Sequence, residues 1–152
     1  MIITGKIVEQ VEITAAGDVF HEFFAIRPHE VSTMSPDKIH GCDLHEGDWG
    51  KVGSIICWEF THDGKKKSAR EVIEALDEKN QIVKLRVIDG ELKEQYKDIL
   101  VTIEVKDHGD KHIVTWTMEY EKLNENIPDL VTLMELAIGI TKDIESHHHG
   151  KK

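Results

Sequence analysis

The sequence predicts a single α+β domain in which a curved antiparallel sheet is covered on its apolar face by a long C-terminal helix. Three observations carry this reading. Six stretches of strand character follow Pro36, punctuated by turn residues. Three successive stretches alternate with period two and share one apolar face, and the final segment repeats its apolar residues at three- and four-residue steps. An antiparallel sheet with one apolar face requires a cover, and the final helix is the available one.

Each element follows from its local pattern. Gly5 to Ile13 alternates, with Ile7, Glu9, Val11 and Ile13 against Val8, Gln10 and Glu12, and reads as a strand ended by Thr14-Ala-Ala-Gly17. Asp18 is a good capping residue for a helix that places Val19, Phe20, Phe23 and Phe24 at helical spacing. Arg27-Pro28 stops that helix, and a second short one runs from Pro28 to about Ser35. Turns are predicted at Glu46 to Gly53, His62 to Lys66, Asp77 to Asn80, Asp89 to Glu91 and Asp107 to Lys111. The alternating strands are Val83, Leu85 and Val87; Ile99, Val101, Ile103 and Val105; and Val114, Trp116, Met118 and Tyr120. The strand from Asp37 to Leu44 has no clean parity. The last helix spans Pro128 to about His148, with Leu130, Leu133, Met134, Ala137, Ile138, Thr141 and Ile144 on its stripe and Asn126 or Asn124 as its cap. Periodicity does not distinguish a filled interior from a hollow one.

Composition excludes several function classes. The 152 residues suit one domain, 1–152, and 39% hydrophobic with 32% charged residues excludes a disordered or membrane-embedded chain. A formal charge of −10 repels phosphate backbones and anionic lipid, so no nucleic-acid partner is expected. Met1 to Val11 lacks the apolar run of an export signal, and no stretch of about 18 apolar residues marks a membrane span. Two cysteines, Cys42 and Cys57, with no export signal, point to a reducing compartment, the cytosol, and a monomer is the favoured state.

The chemistry-bearing motifs are sparse. Gly47, Gly50 and Gly53 with Lys51 form a glycine-rich loop, but Val52 stands where a phosphate-binding loop needs a magnesium-binding hydroxyl. Positive backbone φ in a tight turn accounts for the glycines. His147, His148 and His149 are consecutive and so point in different directions, and no metal-ligand set emerges from the ten histidines. Cys42 and Cys57 are nearly symmetric about a hairpin centre and face one another if the register is simple; two half-buried thiols are the plainer reading. No serine sits in a nucleophile-elbow context. Asp89 continues the inward series of Val83, Leu85 and Val87 and belongs to a turn or a cavity rim. Alternation turns Ala69, Ile73 and Ala75 inward, whereas a bulge would admit Arg70, whose face stays open.

The run Gly41-Cys-Asp-Leu-His-Glu-Gly-Asp-Trp-Gly-Lys-Val-Gly-Ser54, then Trp58, Val87-Ile-Asp-Gly90 and Tyr120-Glu-Lys-Leu-Asn-Glu125, resembles the plant major latex proteins of the birch-pollen-allergen-like superfamily. Arg27-Pro28-His29 and Asp143-Ile-Glu145 extend the likeness over the whole chain. The resemblance implies a helix-grip, START-like fold: a seven-stranded sheet around the long helix, two short helices after the first strand, and a large cavity for apolar molecules. It implies a binding role for lipids, steroids, hormones or secondary metabolites in defence or stress responses, without a cofactor. Gly47, Gly50 and Gly53 resemble the superfamily's glycine-rich loop near the cavity.

On that basis the expected lining is Phe20 and Phe24 from the first helix, Trp58 and Phe60, then Val83, Leu85 and Val87. Ile99, Val101 and Ile103, then Trp116, Met118 and Tyr120, and finally Leu133, Met134 and Ala137 complete it, with Trp49 of the glycine-rich loop more exposed. Norcoclaurine synthases, relatives with this fold, employ a lysine on the strand before the final helix; Ile113 to Tyr120 contains none, which argues against the same condensation chemistry. The competing readings are an enzyme of specialised metabolism that uses cavity acid or base groups, and an acidic-surface protein-interaction module.

Overall fold

The computed structural model describes residues 3–14 and 17–149. Ala15 and Ala16 of the first predicted turn, and the side chains of Asp18, Val19, His148 and His149, lie outside the described residues. Strand β1 (Thr4–Ile13) leads into helix α1 (Gly17–Ala25), a 3-10 turn at Pro28–Glu30 and the short helix α2 (Val31–Met34). Six strands follow: β2 (Ile39–Glu46), β3 (Ile55–His62), β4 (Lys65–Asp77), β5 (Ile82–Gly90), β6 (Tyr96–His108) and β7 (Lys111–Lys122). A 3-10 turn at Glu91–Glu94 separates β5 from β6, and helix α3 (Val131–His149) closes the chain.

The strands form one antiparallel sheet in the order β1-β7-β6-β5-β4-β3-β2, so the two strands first in sequence occupy its opposite edges. The inner face is built by alternation: Val83, Leu85 and Val87, Ile99 to Val105, and Val114 to Tyr120 are buried at every second position. Gly5 permits the closest approach at the β1 edge. It pairs with Tyr120, and a Cβ there would stand 2.5 Å from the phenol ring, so only glycine leaves that ring in place.

Bulges decide the strands whose parity was ambiguous. In β2 a register shift between Ile39 and Gly41 puts Ile39 and Cys42 on the same inner face although they lie three positions apart. Arg70 pairs with Asp89 and Glu71 with Val87, so Ile88 is the extra residue and β5 reverses its faces there. Asp89 therefore leaves the inward series and points outward, where its carboxylate meets the Arg70 guanidinium at 3.7 Å. A second shift between Ile73 and Ala75 makes Leu76, opposite Val83, the residue that packs on the core, in place of the predicted Ala75. Outside, Arg86 bridges three strands, with bonds to Asp98 on β6 at 2.5 and 2.7 Å and to Glu74 on β4.

Helix α3 lies across the inner face. It starts at Val131, three residues after the predicted Pro128, and neither asparagine caps it: the Asn124 side chain accepts from the Asn126 backbone in a local turn. Two carboxylates anchor its far end. Asp143 accepts from Ser35 at 2.6 Å and from Lys38 at 2.8 Å, and Glu145 accepts from the Thr14 backbone at 2.7 Å. At its near end the buried His62 ring joins Thr132 at 2.8 Å and Lys67 at 2.8 Å. Lys67 has only donors to offer, so Nδ1 accepts and Nε2–H donates to Thr132.

Candidate functional site

Between the sheet and α3 the interior is hollow. About 90 Å³ is open to the centres of water-sized molecules, and the free space out to the wall atoms, mouth included, is ≈ 630 Å³. That is room for several waters or one small organic molecule. Every layer contributes: Phe24 from α1, Ile39 from β2, Trp58 and Phe60 from β3, and Ala69 and Glu71 from β4. Leu85 and Val87 come from β5, Leu92 from the following turn, Val101 and Ile103 from β6, and Trp116 and Met118 from β7. Helix α3 adds Leu133, Leu136, Ala137 and Ile140.

Five of the sequence-predicted positions are absent from this wall because packing consumes them. Phe20 stacks behind Phe24 with ring centroids 5.2 Å apart, and Val83 and Ile99 are wholly enclosed by neighbouring strands. Tyr120 turns its hydroxyl to Asp129 at 2.7 Å and stands its ring perpendicular to that of Tyr96, so it closes one end of the core. Met134 lies on the sector of α3 that also carries Thr141, adjacent to the sector of Leu133, Leu136, Ala137 and Ile140. The predicted stripe thus merges two faces, one packed and one lining the hollow.

The glycine-rich loop contributes none of the lining residues. Gly47, Gly50 and Gly53 hold φ of 90°, 77° and 91°, values that suit residues without a Cβ. The loop packs instead against the α1–α2 segment: the Trp49 ring lies 4.4 Å from that of His29, so Trp49 is half-buried, more exposed than the buried Trp58 and Trp116. Among the described residues no cluster of three or more His, Cys, Asp or Glu side chains is placed to hold a metal ion.

The wall's chemistry centres on three groups. Phe24 sits between the two cavity indoles, 6.2 Å from Trp58 and edge-on to Trp116 at 5.2 Å. Trp116 spends its N–H on Thr141 at 2.8 Å. Glu71 is the charged member of the lining, 9% exposed, and burial pushes its carboxyl up to about 7 although a hydrogen bond with the Trp58 indole pulls it down. It was missed in the sequence, yet its position between the inward Ala69 and Ile73 was the available signal. The lysine question has a structural answer too. Strand β7 extends past Tyr120 to Lys122, whose ammonium binds Asp129 at 2.9 Å at the end of the core, away from the lining residues.

The sequence profile of the pathogenesis-related protein Bet v 1 family matches residues 2–149. The chain belongs to this family. Within it, similarity is high to MLP-like protein 28 of Arabidopsis thaliana, 46% identical over 95% of this chain, although the chain spans only 44% of that relative's length. The crystal structure of ginseng major latex-like protein 151 from Panax ginseng superposes with a TM-score of 0.93 at 44% identity, covering 96% of this chain and 98% of that one. Norcoclaurine synthase from Thalictrum flavum shares the fold, with a TM-score of 0.70 at 20% identity over 95% of this chain and 88% of that one. The Bet v 1 helix-grip architecture expected from the sequence is therefore the one observed.

Proposed function

We propose that this Bet v 1 family chain is a cytosolic carrier or sensor that takes one small hydrophobic molecule, such as a lipid, steroid, hormone or plant secondary metabolite, into the hollow beneath α3 in defence or stress responses. The supporting observation is the wall: of its seventeen residues, all but Glu71 are aliphatic, aromatic or methionine. Excluding water from such a surface supplies the driving force, and a few polar groups set orientation. Affinity should be micromolar, about −8 kcal/mol, because area burial without many directional contacts contributes little more.

Tryptophan emission tests the reading, since Trp58 and Trp116 line the hollow and Trp49 does not. A panel of lysophospholipids, fatty acids and steroids should contain ligands that perturb emission in Trp49→Phe as much as in the parent. The same ligands should leave the Trp58→Phe, Trp116→Phe double variant silent while calorimetry still records their binding. No heat and no emission change across the panel refutes the carrier role. Glu71 favours a second reading, an enzyme that uses this carboxyl as acid or base; turnover of a bound ligand that Glu71→Gln abolishes would establish it.

A further inference from the structure

We propose that Glu71 selects the ligand's head group: the cavity accepts apolar molecules that carry a hydrogen-bond donor, a hydroxyl or an amine, and disfavours the same molecules ending in a carboxylate. The inference rests on the carrier reading and narrows its ligand class.

The geometry behind it is local. Glu71 faces the hollow from β4 with Ile56 beside it on β3 and Val87 on β5, so both cross-strand neighbours are aliphatic. A carboxylate offers roughly four acceptor sites, and the Trp58 indole supplies one donor. No lysine, arginine or histidine is among the lining residues; the adjacent Arg70 points away, toward Asp89. From β2 the titratable neighbour is the Cys42 thiol, itself held protonated by burial and by Glu71. The turn after β5, strands β5 to β7 and helix α3 present no charged side chain to the space.

The acceptor capacity left on Glu71 is therefore available to a ligand. A hydroxyl would complete it with a charge-assisted hydrogen bond, and an ammonium would add an ion pair. A ligand carboxylate would meet a like charge with no cation to separate the two. Because burial raises the Glu71 carboxyl to about 7, the discrimination should be strong at pH 8.5 and fade at pH 6, where the neutral acid becomes a donor that a carboxylate accepts.

Three probes that share one chain and differ only in the head test this: 1-decanol, decylamine and decanoate, titrated by calorimetry into the whole protein at pH 6.0 and 8.5. Decanoate should bind about tenfold or more weakly than decanol and decylamine at pH 8.5, and gain several-fold at pH 6.0. In Glu71→Gln the decanoate penalty and its pH dependence should both disappear. Equal binding of all three by the parent at pH 8.5, or an unchanged order in Glu71→Gln, overturns the proposal and leaves the carrier reading standing. Failure of every decyl probe to bind removes both. The head-group order of the parent and its response to pH need no variant, so a misfolded Glu71→Gln would not shield the proposal.

Discussion

Trp116 donates its indole N–H to the hydroxyl of Thr141 at 2.8 Å, and both side chains are buried. This bond joins β7 to α3 beside the hollow, and Thr141 in turn donates to the Ala137 carbonyl at 2.9 Å. Thr141→Val keeps the side-chain shape and removes the acceptor, stranding a buried donor at a cost of roughly 1–3 kcal/mol. Urea unfolding should show a lower midpoint at unchanged slope. A midpoint equal to the parent's would show that the indole finds another partner.

Two buried groups titrate in opposite directions. Burial raises the Glu71 carboxyl above its ordinary value to about 7, so the unfolded chain ionises first and stability falls as pH rises from about 4.5 through 7. Burial, then Lys67, lowers His62, so the folded state resists its protonation and stability falls as pH drops below about 6.5. Glu71→Gln should therefore gain stability above pH 7, on the order of 3 kcal/mol, and change little at pH 4.5. Melting curves of both proteins between pH 4.5 and 8.5 check it; parallel profiles contradict the assignment.

Ala137→Trp should fill the space from the α3 side. A hollow tolerates added volume that a packed core resists, so the variant should fold with near-parental stability and lose emission changes on adding ligand. Destabilisation of about 1–3 kcal/mol or more would mean that the helix seats against a filled interior.

The two cysteines should never pair within one folded molecule. Cys42 lies opposite Trp58 and Cys57 opposite Asp43, a one-residue offset that sends the thiols to opposite faces of the hairpin. Both are held up by burial, Cys42 far more strongly, with Arg70 pulling Cys57 back. Iodoacetamide should therefore modify Cys57 slowly and Cys42 only on unfolding, as peptide mapping would show. Rapid labelling of Cys42 in the folded protein would contradict its burial.

The strands and the long helix were legible because their burial is periodic: β5, β6 and β7 each bury alternate residues without interruption over the predicted stretches. What escaped was each departure from period. The bulge at Ile39 to Gly41 hid the face of β2, the extra Ile88 turned Asp89 outward, and the shift after Ile73 exchanged Ala75 for Leu76. At the site the helix stripe identified Leu133 and Ala137 but could not separate a lining sector from a packed one, so Met134 was included while Leu136 and Ile140 were not. Glu71 was hidden by its own type, since a carboxylate on a strand is normally assigned to solvent.

The pairing of β1 with β7 joins Thr4 to Glu121 and Ile13 to His112. During synthesis β1 therefore emerges about a hundred residues before its partner and must wait for it to complete their ladder. The meander from β2 to β7 can form hairpin by hairpin as it appears, each closure spanning a short loop. Completing the β1 edge of the sheet falls to that late pairing, and the Thr14 backbone N–H then ties the end of β1 to Glu145 of α3. The interior becomes a compartment only once α3, which follows β7 and supplies four of the lining residues, lies across the sheet, so a nascent chain still waiting for β7 has no chamber in which to hold a guest.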